Sequence, residues 1–270
     1  MTINPFFLKI ILTSFLIAAA TLAARRWGET VAGWVVGLPL TSGPTSVFFA
    51  LEQGPAFAAD AAVATLLGLV ATAAFFIGYI LGTRSPHKAA ALLSGVAVYL
   101  VAVWGLSLMP SDLGIAVVLV TLALSAVLLV LGIPPEVTER VPSPWWDLPL
   151  RIFTATTLVV LITGGAQRLG PRWSGLLSPF PVFTCVMATF AYYQGGAVSA
   201  LRLIRGVVMG LFAFMAFFIV VTLLVEHLPL VPVYGLATLA ALGVNGVSLM
   251  AWVRKGPVVR QQAELIEHTN

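Results

Sequence analysis

Residues 61–83 read AAVATLLGLVATAAFFIGYILGT, an apolar stretch of 23 residues without a single charge. A helix rises about 1.5 Å per residue, so about 20 apolar residues are needed to cross a hydrocarbon core about 30 Å thick. The stretch is therefore predicted to be a membrane-spanning helix.

The rest of the chain has the same character. Of its 270 residues, 60% are hydrophobic and 9% are charged, and the mean hydropathy is +1.03. A soluble globular domain carries about 25% charged residues, so this composition excludes a soluble enzyme, a nucleic-acid binder and a disordered chain. The single cysteine, Cys185, excludes an internal disulfide framework and a multi-cysteine metal site. The composition is that of an integral membrane protein.

Gaps between the sparse charges define nine predicted spans. They are residues 5–24, 30–51, 61–83, 89–111, 113–135, 149–170, 173 to about 194, about 198 to 225, and 228–253. The turn between the seventh and eighth spans is predicted at Gln194-Gly195-Gly196.

Basic residues divide unevenly between the two sides that nine spans imply. The side of the C-terminus holds eleven: Arg25, Arg26, Arg84, Lys88, Arg140, Arg151, Arg202, Arg205, Arg254, Lys255 and Arg260. The other side holds three: Lys9, Arg168 and Arg172. Because basic residues concentrate on the cytoplasmic side, the C-terminus is predicted to be cytoplasmic and the N-terminus outside. The membrane is predicted to be the plasma membrane, which in bacteria is the inner membrane.

The chain also contains an internal sequence repeat, in which residue 68 aligns with residue 210. We call this constant difference in residue number the repeat offset. Residues 68–77 (GLVATAAFFI) lie over residues 210–219 (GLFAFMAFFI), with seven of ten positions identical. Further matches are Gly33 with Gly175, Pro39 with Pro181 and, after a slip of one residue, Gln53-Gly54 with Gln194-Gly195. The repeat period covers five spans, and an odd number reverses the direction of crossing.

The predicted fold is therefore an all-α polytopic membrane protein with nine transmembrane helices in a 4+1+4 inverted repeat. Helices 1–4 correspond to helices 6–9, and helix 5 links them. The first repeat and helix 5 occupy residues 1–133, a cytoplasmic Pro- and Trp-rich connector occupies 134–148, the second repeat occupies 149–253, and a polar cytoplasmic tail occupies 254–270. Inverted repeats recur among secondary transporters.

Two spans are predicted to be broken near mid-membrane. The second contains GLPLTSGPTS at residues 37–46, and the seventh contains SPFPVFT at residues 178–184. Prolines remove backbone donors, and the freed groups are tolerated at this depth only when buried in protein or lining a wet cavity. Paired breaks predict a substrate site, although ordinary proline kinks would leave the same pattern. The candidate substrate-binding residues are Gly37, Pro39, Thr41, Ser42, Gly43, Pro44, Thr45, Ser178, Pro179, Pro181, Thr184 and Asn245.

Polar residues near the span ends form a second group of candidates, for ion coupling or gating. They are Glu52, Gln53, Asp60, Gln194, Arg168 and Arg172. The carboxylates could hold a cation or simply be hydrated at helix ends, and the arginines could attract anions or snorkel to the interface. Asn245 could bind a ligand or a neighbouring helix.

These features predict a small-solute transporter working by alternating access, secondary active or facilitative, with a small organic anion favoured as substrate. A channel or a lipid-handling protein using the same cavity is the alternative, and a membrane enzyme or assembly subunit is less favoured. No HExxH, P-loop or G-x-S-x-G motif occurs, and the three histidines fall in separate segments. The sequence thus predicts no catalytic residue, metal site, cofactor or nucleic-acid partner. The predicted partners are the solute and the lipid bilayer, with a coupling cation and a homodimer left open.

Overall fold

The computed structural model describes residues 5–39, 42–135, 146–166 and 170–267. Over these residues all regular structure is helical. The first six helices are α1 (Pro5–Trp27), α2 (Glu29–Val36), α3 (Ser42–Glu52), α4 (Pro55–Gly82), α5 (Lys88–Ser107) and α6 (Leu113–Leu131). The remaining four are α7 (Asp147–Ala166), α8 (Gly170–Leu177), α9 (Val182–Leu224) and α10 (Leu230–Glu267).

Five segments of the described chain are long and apolar enough to cross a membrane. They are Pro55–Gly82, Lys88–Ser107, Leu113–Leu131, Gly175–Leu224 and Leu230–Ser248. The protein is therefore all-helical with several apolar helices, as expected of a membrane-embedded chain. Segment α4 is the central one, since most of its apolar window is buried inside the protein, whereas those of α5 and α6 face mainly outward.

The corner inside α9 lies at Gly196. Its φ of 77° is a conformation that favours glycine, and the helix continues on either side of it. Gly54, between α3 and α4, has a φ of 94°, and the repeat offset places it over Gly196 without any slip. The structurally matching residues are thus Gly54 and Gly196, which corrects the pairing of Gly54 with Gly195.

Helix boundaries follow the same spacing. Helix α4 ends at Gly82 and α9 ends at Leu224, and α5 begins at Lys88 while α10 begins at Leu230. The members of both pairs are separated by the repeat offset. The chain beyond Val253, predicted to be a separate polar tail, continues α10 to Glu267.

Close glycine contacts between helices recur at the repeat offset. A Cβ atom on Gly68 of α4 would come within 2.6 Å of the Leu176 carbonyl oxygen of α8. A Cβ atom on Gly210 of α9 would come within 2.6 Å of the Trp34 carbonyl oxygen of α2. The repeat offset places Gly68 over Gly210 and Trp34 over Leu176. The packing of α4 on α8 is thus repeated in the packing of α9 on α2.

Candidate functional site

Two interruptions divide helices where the sequence predicts them. Helix α8 ends at Leu177 and α9 begins at Val182, so the interruption covers residues 178–181, whereas the sequence predicted a break over residues 178–184. The other interruption starts after Val36, and the chain is helical again from Ser42. Thr41 lies outside the described residues.

Gly43 and Pro44 do not interrupt a helix. They lie in the first turn of α3, where a backbone N–H has no partner within the helix and the missing donor of proline costs nothing. The break therefore involves Gly37 and Pro39, whereas the run from Ser42 to Ser46 starts the next helix. This corrects the longer break predicted from the sequence.

The two interruptions meet through serine hydroxyls. The Ser178 hydroxyl donates to the Ser42 Oγ at 3.2 Å, and the Ser42 hydroxyl lies 3.5 Å from the Ser178 carbonyl oxygen. Ser42 is buried, with 5% of its surface exposed. The sequence separation is 136 residues, so only the tertiary fold brings these side chains together.

Hydroxyls from neighbouring helices bind the carbonyl groups freed at the end of α8. Thr72 Oγ1 donates to the Pro179 carbonyl oxygen at 2.8 Å, and the Tyr99 hydroxyl donates to the Leu176 carbonyl oxygen at 3.1 Å. Such donors are needed because a buried backbone carbonyl without a partner is costly in an apolar environment. Neither hydroxyl was identified from the sequence, although both belong to residues within apolar spans.

The positions that the repeat offset relates to Thr72 and Tyr99 lack hydroxyl groups. The repeat offset places Thr72 over Phe214 and Tyr99 over Ala241. The two breaks therefore differ in side-chain chemistry, and the site is asymmetric.

A cavity of about 60 Å³ lies between the interruptions. This volume has room for on the order of four water molecules. Five of its lining residues were predicted from the sequence: Ser42, Ser178, Pro179, Pro181 and Thr184. The others are apolar except Thr72, and the described lining includes no charged side chain. The apolar part, which includes Leu16, Phe183 and Phe214, could not be singled out in a chain that is apolar throughout.

Helix ends converge on this cavity. Ser42 at the start of α3 and Val182 at the start of α9 line it, as do Val36 at the end of α2 and Ser178 just after α8. Helix starts carry partial positive charge and helix ends partial negative charge, each about half a unit. The cavity can thus offer backbone donors, backbone acceptors and hydroxyls to a small polar solute.

Other predicted binding residues lie around the cavity without lining it. Gly37 packs on the backbone of Gly210, and Gly43 packs on the ring of Phe217. Asn245 is buried, with 2% exposure, and its amide atoms have no hydrogen-bond partner among the described residues. It belongs to α10, outside the cavity lining.

The predicted coupling or gate residues are scattered over the helix ends. Glu52, Gln53 and Asp60 are exposed. Arg172 donates to the carbonyl oxygens of Leu106 and Met109 at the end of α5, and Arg168 lies outside the described residues. Gln194 is the exception, because it belongs to a buried ionic cluster.

This ionic cluster was missed from the sequence. Asp147 is completely buried and Arg151 is 4% exposed, and they form an ion pair at 2.8 Å along α7. The Gln194 amide donates to Asp147 Oδ1 at 2.7 Å and accepts from Arg151 at 3.2 Å, and Arg25 lies 3.3 Å from Asp147 Oδ2. The spacing of four residues between Asp147 and Arg151 was the available signal, since it places opposite charges on one helix face.

Met187 contacts the cluster and lies about one helical turn beyond Thr184, which lines the cavity. Its sulfur accepts from Arg151 at 3.3 Å and from Thr21 Oγ1 at 3.6 Å. The Arg151 guanidinium also lies 4.8 Å from the centre of the Phe190 ring. The cluster thus joins α1, α7 and α9.

Glu29, the first residue of α2, faces the same cluster. One of its carboxyl oxygens is buried without a hydrogen-bond partner among the described residues. Burial raises the pKa of Glu29, while Arg151 and Arg202 lower it and Asp147 raises it by charge interactions. Burial is the largest of these effects.

We expect Glu29 to make the protein less stable as the pH rises from its ordinary pKa of 4.5 through the raised value. The folded state binds the proton more tightly than the unfolded state, so this stabilisation is complete at low pH and lost at high pH. Glu29→Gln should flatten that dependence in thermal unfolding followed over a pH series. Glu52→Gln is the control, and equal pH profiles for Glu29→Gln and the unchanged protein would contradict the assignment.

Comparison with known proteins finds no matching family, no significantly similar curated sequence and no significantly similar solved structure.

Proposed function

We propose that this protein is a membrane transporter for a small solute, with its substrate site in the cavity between the two helix interruptions. The observation that carries the proposal is the meeting of Ser42 and Ser178 at that cavity. Irregular backbone deep in a membrane protein is tolerated where it is buried or lines a cavity, and paired broken helices are typical of transporter binding sites. In this proposal the protein is a carrier without catalytic activity.

The proposal includes nine membrane crossings in an inverted 4+1+4 repeat. Support comes from helix ends, corner glycines and reciprocal contacts that all recur at the repeat offset. In this arrangement α2 with α3, and α8 with the first part of α9, each form one broken crossing.

Contacts between helix ends also support nine crossings. Arg25, Asp147 and Gln194 were all predicted on the cytoplasmic side, and they contact one another through Asp147. Arg172 and Met109 were predicted near the outer side, and they also contact each other. The proposed orientation, with the C-terminus in the cytoplasm of a bacterial inner-membrane protein, rests on the excess of basic residues on that side.

The proposed substrate is small and polar, and a small organic anion is favoured. Two helix starts face the cavity, and no carboxylate lines its described surface. The cavity volume of about 60 Å³ requires the two halves to separate before a solute larger than a few waters enters. A channel or a lipid-handling protein is the second candidate, favoured by the mostly apolar lining.

Uptake into proteoliposomes tests the proposal. Small mono- and dicarboxylates and their neutral amides would first be screened for thermal stabilisation of the purified protein, because a ligand stabilises the state that binds it. Uptake of the best compound should saturate and should be accelerated by the same compound on the opposite side. Unsaturable flux would instead identify a channel.

Alanine variants test whether uptake depends on the residues that line the cavity. Ser42→Ala and Ser178→Ala each remove a hydroxyl from the site and should reduce uptake at least about tenfold, the effect of losing about 1.4 kcal/mol of binding or transition-state free energy. Ser107→Ala is the matched control, because its hydroxyl bonds to its own helix, at the Trp104 carbonyl. Equal uptake by all three variants would contradict this site.

A further inference from the structure

The ionic cluster lies in line with the cavity. Along α9, Thr184 lines the cavity, Met187 lies one turn further and Gln194 lies about 15 Å from Thr184 at the rise of a helix. Along α1, Leu16 lines the cavity, Thr21 contacts Met187 and Arg25 reaches Asp147. Two helices thus lead from the cavity to the cluster.

Buried charges hold the cluster together. Asp147 and Arg151 are buried, and each of them bonds to the other and to Gln194. Separation of α7 from α9 would break the Gln194 contacts and expose the ion pair to water. The cluster is therefore a contact that can open.

The internal repeat assigns counterparts to Arg151 and Gln194, whose contact joins α7 to α9. The repeat offset places Lys9 over Arg151 and Glu52 over Gln194. Lys9 belongs to α1 and Glu52 to the end of α3, the counterparts of α7 and of the first part of α9. The counterpart positions carry opposite charges, which suits a contact between them.

Glu52 does not make contacts equivalent to those of its counterpart, Gln194. It is exposed, whereas Gln194 is bonded within the cluster. If the two repeats exchange conformations, residues 9 and 52 adopt the relation that residues 151 and 194 have here, with a polar contact of 3.2 Å.

We propose that Asp147, Arg151 and Gln194 form the closed gate at one end of the pathway, and that Lys9 and Glu52 form a reciprocal ionic gate that closes the other end when the first opens. This rests on the proposed transport function, because alternating access requires one closed gate at each end in turn. Asp147 has a proline, Pro5, as its counterpart, so the Asp147 gate holds the additional charge.

Cysteine cross-linking tests the exchange without knowledge of the substrate. The native thiol, Cys185, is buried and would be replaced by serine. Lys9→Cys and Glu52→Cys would then be introduced together, and their cross-linking by a short bifunctional thiol reagent would be measured in proteoliposomes. Adding Gln194→Leu, which opens the Asp147 gate, should accelerate this cross-linking at least about tenfold by shifting the population toward the other state.

A control pair separates gate closure from general loosening. Phe49 and Phe57 are in ring contact at 5.3 Å across the corner between α3 and α4, within one repeat. Cross-linking of Phe49→Cys with Phe57→Cys should be unaffected by Gln194→Leu. Asp147→Asn provides a second way to weaken the gate. If Gln194→Leu fails to fold, the cross-linking rate in Asp147→Asn still tests the proposal.

An unchanged Lys9–Glu52 cross-linking rate in both gate variants would overturn the reciprocal gate, even if saturable uptake is observed. Equal acceleration of the control pair would also overturn it. Accelerated cross-linking that is confined to the Lys9–Glu52 pair supports the exchange of conformations. If the same cross-linking result is found but uptake is not saturable, only the proposed transport function is contradicted.

Discussion

Replacing Asp147 with leucine is expected to lower the free energy of unfolding by about 3 to 5 kcal/mol. Arg151 is 4% exposed and would remain buried without its ion-pair partner, while the Gln194 amide would lose its acceptor. The loss would be measured by denaturant or thermal unfolding of the purified protein in detergent. It is the largest effect we expect from a single polar side chain in this protein.

A second variant distinguishes lost charge pairing from poor packing. Asp147→Leu combined with Arg151→Met should recover most of the lost stability, because a buried ion pair replaced by apolar side chains is often close to neutral. Glu52→Leu changes an exposed carboxylate and should shift stability by no more than about 0.5 kcal/mol. If Asp147→Leu is as mild as Glu52→Leu, the buried cluster is incorrectly assigned.

Replacing Gly206 with alanine is expected to lower the free energy of unfolding by about 3 kcal/mol. A Cβ atom there would overlap the Thr30 carbonyl oxygen and come within 2.9 Å of the Trp34 backbone nitrogen. Both contacts are backbone atoms of α2, so relief requires α2 to move away from α9. Because α2 leads directly into the break, the same change should alter the cavity.

Gly235 is the matched control for this substitution. It also lies in a helix, but no atom lies within 4 Å of the position its Cβ would occupy. Gly235→Ala should therefore raise stability by up to about 1 kcal/mol through helix propensity alone. The two glycine variants thus have expected effects of opposite sign, and effects of the same sign and size would contradict the close packing of α2 on α9.

The positions of the helices were largely readable from the sequence. Apolar runs between charges coincide with α4, α5 and α6, and prolines and glycines indicated the interruption before Val182 and the corner at Gly196. These features are local, because a membrane-embedded segment must satisfy its backbone hydrogen bonds within its own helix. The break before Ser42 was placed too broadly, because Pro44 is also compatible with the first turn of a helix.

Sequence by itself therefore determined the all-helical, membrane-like character of the chain, the segments α4, α5 and α6, the repeat offset, and the regions in which the two interruptions lie. Tertiary structure alone decided that Thr72 and Tyr99 bind the freed carbonyl groups and that Ser42 meets Ser178. It also decided that Asp147, placed by the sequence in a cytoplasmic connector, is completely buried between α1, α7 and α9. The physical reason is the range of the interactions: apolar length and backbone breaks act within one segment, whereas the partners of these buried polar groups come from other helices, far away along the chain.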